Sequence, residues 1–143
     1  MTFLNLLLTA ACGCFTDHEP PPAHPVHLTL TTPSKKGGGQ VYLTVFQSGK
    51  GFPDNPSHAV QALKIPLQQG VARTVLTLPK GRYAIAAFYD ADGNGKLSKN
   101  LVGVPSEPYG FSNNVRGLFS APSFPEAAFD LHGSPSEMRL DLK

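Results

Sequence analysis

The sequence is poor in charge, in cysteine and in long apolar runs, and each shortage excludes a class of protein. Charged residues make up only 15% of its 143 residues, and the net charge of +2 comes from scattered Lys and Arg, which argues against a nucleic-acid partner. Beyond the first residues, no apolar run is long enough to cross a bilayer as a helix. The two cysteines, Cys12 and Cys14, lie together near the N-terminus, so the rest of the chain has no disulfide or thiol chemistry.

Glycine and proline, in contrast, are plentiful, with 14 of each. Frequent turn formers and little charge are typical of a turn-rich all-β protein rather than of a helical one. The length fits one domain with a substantial core.

Residues 1–14 resemble an export signal. An apolar run is followed by Thr9-Ala10-Ala11 and then Cys12, the order found in bacterial lipoproteins, where the cysteine after the cleavage site is lipidated. No Lys or Arg precedes the apolar run, and Thr9 stands where Leu is usual. Despite these two departures from the lipoprotein pattern, we expect export, to the periplasm or tethered to the outer membrane, with lipidation at Cys12 as the only membrane contact. A signal peptide with incidental cysteines and a buried apolar N-terminus are the alternatives.

Residues 15–25 predict a Pro-rich tether, because Pro20-Pro21-Pro22 favours an extended conformation. His18, His24 and His27 lie near two acids, but without a scaffold to fix them a solvated linker is the better interpretation than a metal site. The folded domain is predicted to span residues 26–143.

Alternation of apolar and polar residues predicts about seven short strands, the pattern of a two-sheet β-sandwich. The strand that begins at Gly81 is apolar on both faces and should lie in the middle of a sheet. A long irregular segment, residues 101–125, precedes the last two strands, and its aromatic residues should pack across the sandwich. The other predicted strands are 26–31, 40–47, 61–67, 71–78, 128–132 and 136–142.

The central strand runs into a loop that matches the first half of a calcium-binding loop, D-x-[DN]-x-[DN]-G. Leu101 stands at the twelfth position in place of a bidentate Glu, so a further carboxylate is needed, and weak affinity, roughly 10⁻⁴ to 10⁻³ M, is expected. A metal-free turn held by its own Asp and Asn side chains is the alternative. The predicted ligands are Asp90, Asp92, Asn94, the Lys96 carbonyl and Ser98, and the further carboxylate is Glu107, the nearest in sequence, Asp130 or Asp54.

A second candidate site lies in the irregular segment. Tyr109, Asn113, Asn114 and Arg116 carry the groups that would bind an anion or a sugar. The alternative is that the two amides hold the loop by bonding backbone groups.

Several short motifs are spread over nearly all of residues 26–142. They are Gly51-Phe52-Pro53, the run from Tyr83 through Asp90 to Leu97, Gly103-Val104-Pro105, Tyr109-Gly110-Phe111-Ser112-Asn113-Asn114, Arg116-Gly117, Pro122-Ser123-Phe124 and Ala127-Ala128-Phe129. Together these motifs resemble those of the bacterial domain of unknown function 2141 family. The resemblance implies an exported protein with an immunoglobulin-like or prealbumin-like sandwich, and it implies no reaction. Lys99 stands where the family usually has an acid, which weakens the calcium hypothesis.

Two functions from different classes follow. The first is a non-catalytic module of the cell envelope that binds a ligand, a glycan or an envelope protein, with a weak calcium loop. The second is a small hydrolase or isomerase with its site between the Asp90 loop and residues 109–116. No nucleophile elbow, phosphate loop or dinucleotide fingerprint is present, which favours the first.

Overall fold

Eight β-strands in two sheets form the framework of the computed structural model, which describes residues 19–33 and 38–143. The elements are β1 (Ala23–Thr31), β2 (Gln40–Phe46), β3 (Gln61–Pro66), β4 (Val71–Pro79), β5 (Gly81–Asp90), β6 (Tyr109–Phe111), α1 (Phe124–Ala127), β7 (Phe129–Leu131) and β8 (Ser136–Asp141), with 3₁₀ turns at Pro56–His58 and Ser112–Asn114. One sheet has the order β4-β1-β8 and the other the order β3-β2-β5-β6, with β7 also paired to β5. All pairs are antiparallel except β1 with β8. The all-β, two-sheet prediction is confirmed.

The main core lies between the two sheets and follows from the period-two pattern of the strands. On β5, Tyr83, Ile85, Ala87 and Tyr89 all point into it and are at most 5% exposed. Burial of this much apolar side chain is the dominant favourable contribution to folding. The residues that face them from the other sheet include Val26, Leu28 and Leu30 of β1, Leu76 and Leu78 of β4, and Leu140 of β8.

The opposite face of β5 is also buried, as its sequence predicted. Ala84 and Ala86 pack there in a second cluster with Phe46, Phe111 and Ala127. Small side chains on β5 leave room for the aromatic rings above them. Strand β5 is therefore the central strand of the molecule, covered by the opposite sheet on one side and by the segment after β6 on the other.

Strand β6 was missed by the prediction, which treated residues 101–125 as irregular. It has only three residues and a central glycine, too short for a periodic signal. A side chain at Gly110 would lie 2.8 Å from the carbonyl oxygen of Asp141, so the strand needs glycine there. The prediction that the aromatic residues of this segment pack across the sandwich is confirmed for Tyr109, Phe111 and Phe124. It is wrong for Phe119, which is fully exposed.

The strand boundaries agree with the prediction to within one residue, except for the start of β1. Strand β1 begins at Ala23, three residues before the predicted start, because Ala23 and Pro25 continue the antiparallel pairing with β4. The link Gln68-Gln69-Gly70 between β3 and β4 is short, but the two strands do not form a hairpin, since β3 pairs with β2 and β4 with β1. The predicted signal and Cys12 lie outside the described residues.

No helix in the described part of the chain has the length and apolar character needed to cross a membrane.

Candidate metal site in the Asp90 loop

The Asp90 loop, residues 90–98, starts where β5 ends. The chain returns to the same edge at Pro108, whose carbonyl accepts a 2.8 Å hydrogen bond from the Tyr89 N–H, and continues as β6. Because both ends of the segment are fixed to paired strands, residues separated by many positions in sequence are brought together.

Asp90 is 2% exposed and organises the loop through its carboxylate. One oxygen accepts the Gly93 N–H and the other the Gly95 N–H, both at 2.8 Å. Both glycines have positive φ, +77° and +74°, which turns their N–H groups inward. A buried carboxylate is thereby satisfied by backbone donors without a basic side chain.

Asp92 is exposed and binds the other polar side chains of the loop. Its Oδ1 accepts the Asn94 N–H at 3.0 Å, and its Oδ2 accepts the Ser98 hydroxyl at 3.0 Å. These bonds, from the Asn94 backbone first and Ser98 second, lower the pKa of Asp92 below its usual value. The side chain is therefore an anion at neutral pH. The Asn94 side chain donates to Asp92 and Ser98 and accepts the Lys96 N–H.

Glu107 completes the cluster from outside the loop. It is 7% exposed, and its two oxygens accept the N–H groups of Ala91 at 3.0 Å and Ser98 at 2.9 Å, one near each end of the loop. Glu107 was one of three carboxylates expected to add to the site. The other two are not in the cluster. Asp130, on β7, is the strand partner of Arg82 at the far end of β5, and Asp54 follows β2 at that same end.

Asp90, Asp92 and Glu107 each place a potential ligand oxygen within 4.8 Å of the others. The one ion pair between side chains of the described residues is Arg139 with Asp141, so no basic side chain forms an ion pair with this cluster. Each carboxylate oxygen that accepts one N–H still has a lone pair to offer. The arrangement suits a hard cation such as calcium, which takes about six to eight oxygen ligands.

Hydrogen bonds within the loop are also what the metal-free alternative predicts. The calcium hypothesis requires a further carboxylate, and Glu107 is in position to supply it. Like charges held this close repel each other unless a cation or several donors offset them. The N–H groups bonded to Asp90 and Glu107 are such donors, so calcium binding stays a prediction.

The structure gives the four residues of the second candidate site two different roles. The side chain of Asn113 donates to the carbonyl of Ala128 at 2.8 Å, and Asn114 bonds both the carbonyl of Arg139 and the N–H of Asp141. Both amides therefore hold the segment to its neighbours, as the alternative proposed. Arg116 instead lies over the Tyr109 ring, 5.4 Å from its centroid, and remains exposed.

The enzyme hypothesis placed a site between the Asp90 loop and residues 109–116, and the cavity lined by residues of the second segment includes no residue of the Asp90 loop. The cavity beside Phe111 and Arg116 has a volume of about 30 Å³, room for a water molecule and far below an ordinary ligand site. His58 contacts its neighbour Ser57 on the 3₁₀ turn after β2. A larger open cavity of about 850 Å³ lies at the β3–β4 corner, and it has no acid or histidine in its lining, which is Ile65, Pro66, Gln68, Gln69, Val71 and Arg73.

The model of a bacterial family, described as "Uncharacterized protein conserved in bacteria (DUF2141)", matches residues 32–139. The chain belongs to the DUF2141 family. This confirms the resemblance drawn from the sequence motifs, and the match includes both the Asp90 loop and Glu107. No curated protein matches the chain.

Two solved structures are similar over most of this DUF2141 chain. One is a leucine-rich repeat protein from Bacteroides thetaiotaomicron VPI-5482, with 17% identity, a TM-score of 0.39 and coverage of 87% of this chain and 14% of that one. The other is a mutant of the pilus-presented adhesin Spy0125 (Cpa), with 11% identity, a TM-score of 0.28 and coverage of 85% and 27%. The chain thus spans a small part of each.

Proposed function

We propose that this chain is an exported, non-catalytic binding or structural module of the bacterial cell envelope, and that its Asp90 loop holds one calcium ion. The observation that supports the metal is the convergence of Asp90, Asp92 and Glu107, none of which forms an ion pair with a basic side chain of the described residues. Asn94 and Ser98 lie beside Asp92 and would complete the oxygen ligands together with water.

The ligand set favours calcium at weak affinity. Asp90 and Glu107 each hold backbone N–H groups with both oxygens, so each of these oxygens has one lone pair left for the ion instead of two. Magnesium demands a tighter octahedral arrangement and loses water reluctantly, so it should bind less well. The dissociation constant for calcium should lie in the extracellular range, roughly 10⁻⁴ to 10⁻³ M.

Calorimetric titration of the full chain with calcium chloride tests this proposal. We expect one site in that affinity range and a weaker or undetectable signal with magnesium chloride. Asp92→Asn removes an exposed ligand carboxylate without unburying anything and should abolish the signal. Asp130→Asn is the matched control, because Asp130 is also exposed and lies outside the cluster. If the Asp92→Asn variant gives the same heat of calcium binding as the wild type, calcium binds at another place in the chain.

For the binding role, we infer that the surface around Tyr109 and Arg116 contacts the partner, which is a ligand, a glycan or an envelope protein. A half-buried aromatic ring beside an exposed guanidinium offers stacking and charge together. Co-sedimentation with purified peptidoglycan tests the glycan. Arg116→Ala should reduce the bound fraction, whereas Arg139→Ala, another exposed arginine, should not; equal loss in both would argue for non-specific charge attraction.

Export and lipidation at Cys12 remain part of the proposal. Metabolic labelling with a radioactive fatty acid should mark the chain in cells, and Cys12→Ser should remove the label. Cys14→Ser is the matched control and should keep it. Label that survives Cys12→Ser, or is lost in both variants, contradicts lipidation at Cys12.

A further inference from the structure

The two sheets of the sandwich are joined by backbone bonds along one side and not along the other. On the first side, Lys143 and Tyr109 exchange backbone hydrogen bonds, which connect the residues after β8 to β6. On the other side, the open side, the edge strands are β3 and β4. These two strands do not pair in the described part of the chain, where a side-chain bond of 3.1 Å connects the Gln61 amide to the Thr77 carbonyl. Each sheet therefore has an unpaired edge on the open side.

Strand β4 points the backbone groups of its odd-numbered residues towards the open side. Val71 exchanges hydrogen bonds with Gln68 there, at 2.9 and 3.0 Å, and Thr77 accepts the side-chain bond already described. Backbone groups alternate in direction along a strand, so those of Arg73 and Val75 point the same way. They have no strand partner among the described residues, because β4 pairs with β1 alone. The middle of β4 thus offers unpaired donors and acceptors to a further strand.

Strand β3 is protected against such pairing, whereas β4 is not. Lysine and proline are residues by which edge strands avoid a partner, and β3 has an exposed Lys64 and ends at Pro66. Strand β4 is nine residues long, has no lysine and has no proline before Pro79. Its Val75 is 50% exposed. Of the two edges on the open side, β4 is therefore the one suited to strand addition.

The cavity of about 850 Å³ lies beside this edge and indicates what side chains an added strand would carry. Ile65, Pro66 and Val71 give its lining an apolar part, which suits an apolar side chain. Arg73 contributes the one charged group of the lining and is exposed. Within the described ranges of the chain, Arg73 forms no ion pair.

The acids on the same face of this sheet do not serve Arg73. Glu137 and Asp141 are both on β8, and β1 lies between β8 and β4. Asp141 is in addition bonded to Thr31 and Arg139. The guanidinium of Arg73 is therefore available to a carboxylate from outside the molecule, which it can hold through two N–H groups.

We propose that β4 binds an extended peptide of another protein as an added strand on the open side, and that this peptide carries an acidic side chain for Arg73. Backbone bonds to Arg73 and Val75 would hold the strand, and alternate side chains would provide specificity. A second copy of β4 is less suitable, because it would supply another arginine and no acid. The contact goes beyond the proposed function, since it uses neither the calcium loop nor the surface around Tyr109 and Arg116.

Selection of a random heptapeptide library, displayed on phage, against the full-length chain supplies the probe. We expect the enriched peptides to contain Asp or Glu among β-branched residues. The most enriched peptide is then synthesised with its acid and with the corresponding amide. Arg73→Gln should bind the acidic peptide about tenfold more weakly than the wild type does, and the amide peptide should bind both proteins equally. Arg82→Gln, at an exposed position of β5, is the matched control and should bind like the wild type.

Hydrogen exchange of the full-length chain locates the contact. The amides of Arg73 and Val75 should exchange fast in the free chain and slowly with the acidic peptide, whereas the Lys64 amide of β3 should not change. Enriched peptides without an acid, equal binding of the acidic peptide by Arg73→Gln, or protection confined to other amides overturns the proposal. Slow exchange at Arg73 and Val75 before peptide is added also overturns it, in favour of a second copy if the protection grows with protein concentration and of the chain's own residues if it does not.

Discussion

Glu107 shows how one side chain can fix a loop that is remote in sequence. Its carboxylate accepts N–H groups from both Ala91 and Ser98, so it holds the two ends of the Asp90 loop at a constant separation. Bonds to a charged acceptor are stronger than neutral ones, and a buried acceptor that lost them would carry its full desolvation cost.

Glu107→Gln should therefore lower the free energy of unfolding even without metal. The Gln amide has one acceptor oxygen, so its NH₂ group must face one of the two N–H donors. We expect a loss of about 1–3 kcal/mol in EDTA, measured by urea unfolding. Glu137→Gln, at an exposed position of β8, is the control and should change stability by less than about 0.5 kcal/mol. Equal stability of the two variants would show that Glu107 does not hold the loop.

Asp141 gives the structure a dependence on pH. The Thr31 hydroxyl donates to its carboxylate at 2.6 Å and joins β1 to β8, and this bond is the main reason why the pKa of Asp141 is lowered. A carboxyl whose pKa is lower in the folded state stabilises the fold fully above its unfolded pKa, about 3.9, and this contribution disappears as pH falls through the folded value.

Thr31→Val removes that bond while keeping the shape of the side chain. At pH 7 we expect a loss of about 1 kcal/mol, modest because Asp141 is partly exposed and screened by solvent. The difference from wild type should shrink below about pH 4 and vanish once Asp141 is protonated in both states. Urea unfolding measured at a series of pH values checks this, and a difference that does not vary with pH contradicts it.

At the scale of elements, one edge of β5 is covered by two short strands in a row. Strand β6 pairs with Phe88, Ala87 and Ala86, and β7 pairs with Tyr83 to Gly81. In the gap between them, the Ile85 N–H donates to the hydroxyl of Ser112 at 2.9 Å, and that hydroxyl donates in turn to the carbonyl of Ala127. Ser112 thus replaces a strand neighbour where the chain leaves the sheet.

Ser112→Ala should leave the Ile85 N–H and the Ala127 carbonyl without these partners in a fully buried place. The expected cost is about 1–3 kcal/mol in chemical denaturation, with faster hydrogen exchange at the Ile85 amide. Ser120→Ala, at an exposed position of the same segment, should have little effect on either. If hydrogen exchange at the Ile85 amide is the same in Ser112→Ala as in the wild type, the Ser112 hydroxyl does not protect that N–H group.

Much of the sandwich could be predicted from the sequence because its strands are long enough to show a period. The two apolar faces of β5 indicated its central place, and alternation on β2 and β8 separated inner from outer residues. Strand β6 gave no such signal, and Ser112 has none that a single sequence reveals. In the candidate site, the ligands within the loop were recognisable by spacing, whereas the choice of Glu107 among three acids depended on the path of the chain between β5 and β6.

For the whole molecule, the end of the chain joins the two sheets. Residue Lys143 exchanges backbone hydrogen bonds with Tyr109 of β6 at 3.0 and 3.1 Å, and the Leu142 N–H donates to the carbonyl of Thr31 in β1. The strand edge from which the Asp90 loop emerges is therefore tied to both sheets. An ion bound in that loop should stabilise the domain as a whole, because binding to the folded state alone shifts the unfolding equilibrium.

The melting temperature of the full chain with and without calcium tests the central claim most directly. For a dissociation constant of roughly 10⁻⁴ to 10⁻³ M, about 10 mM calcium should add about 1.4–2.7 kcal/mol, which raises the melting temperature by about 4–10 °C over the value in EDTA. Asp92→Asn should abolish the rise, and Asp130→Asn should keep it. A wild-type melting temperature that calcium leaves unchanged would contradict the calcium site.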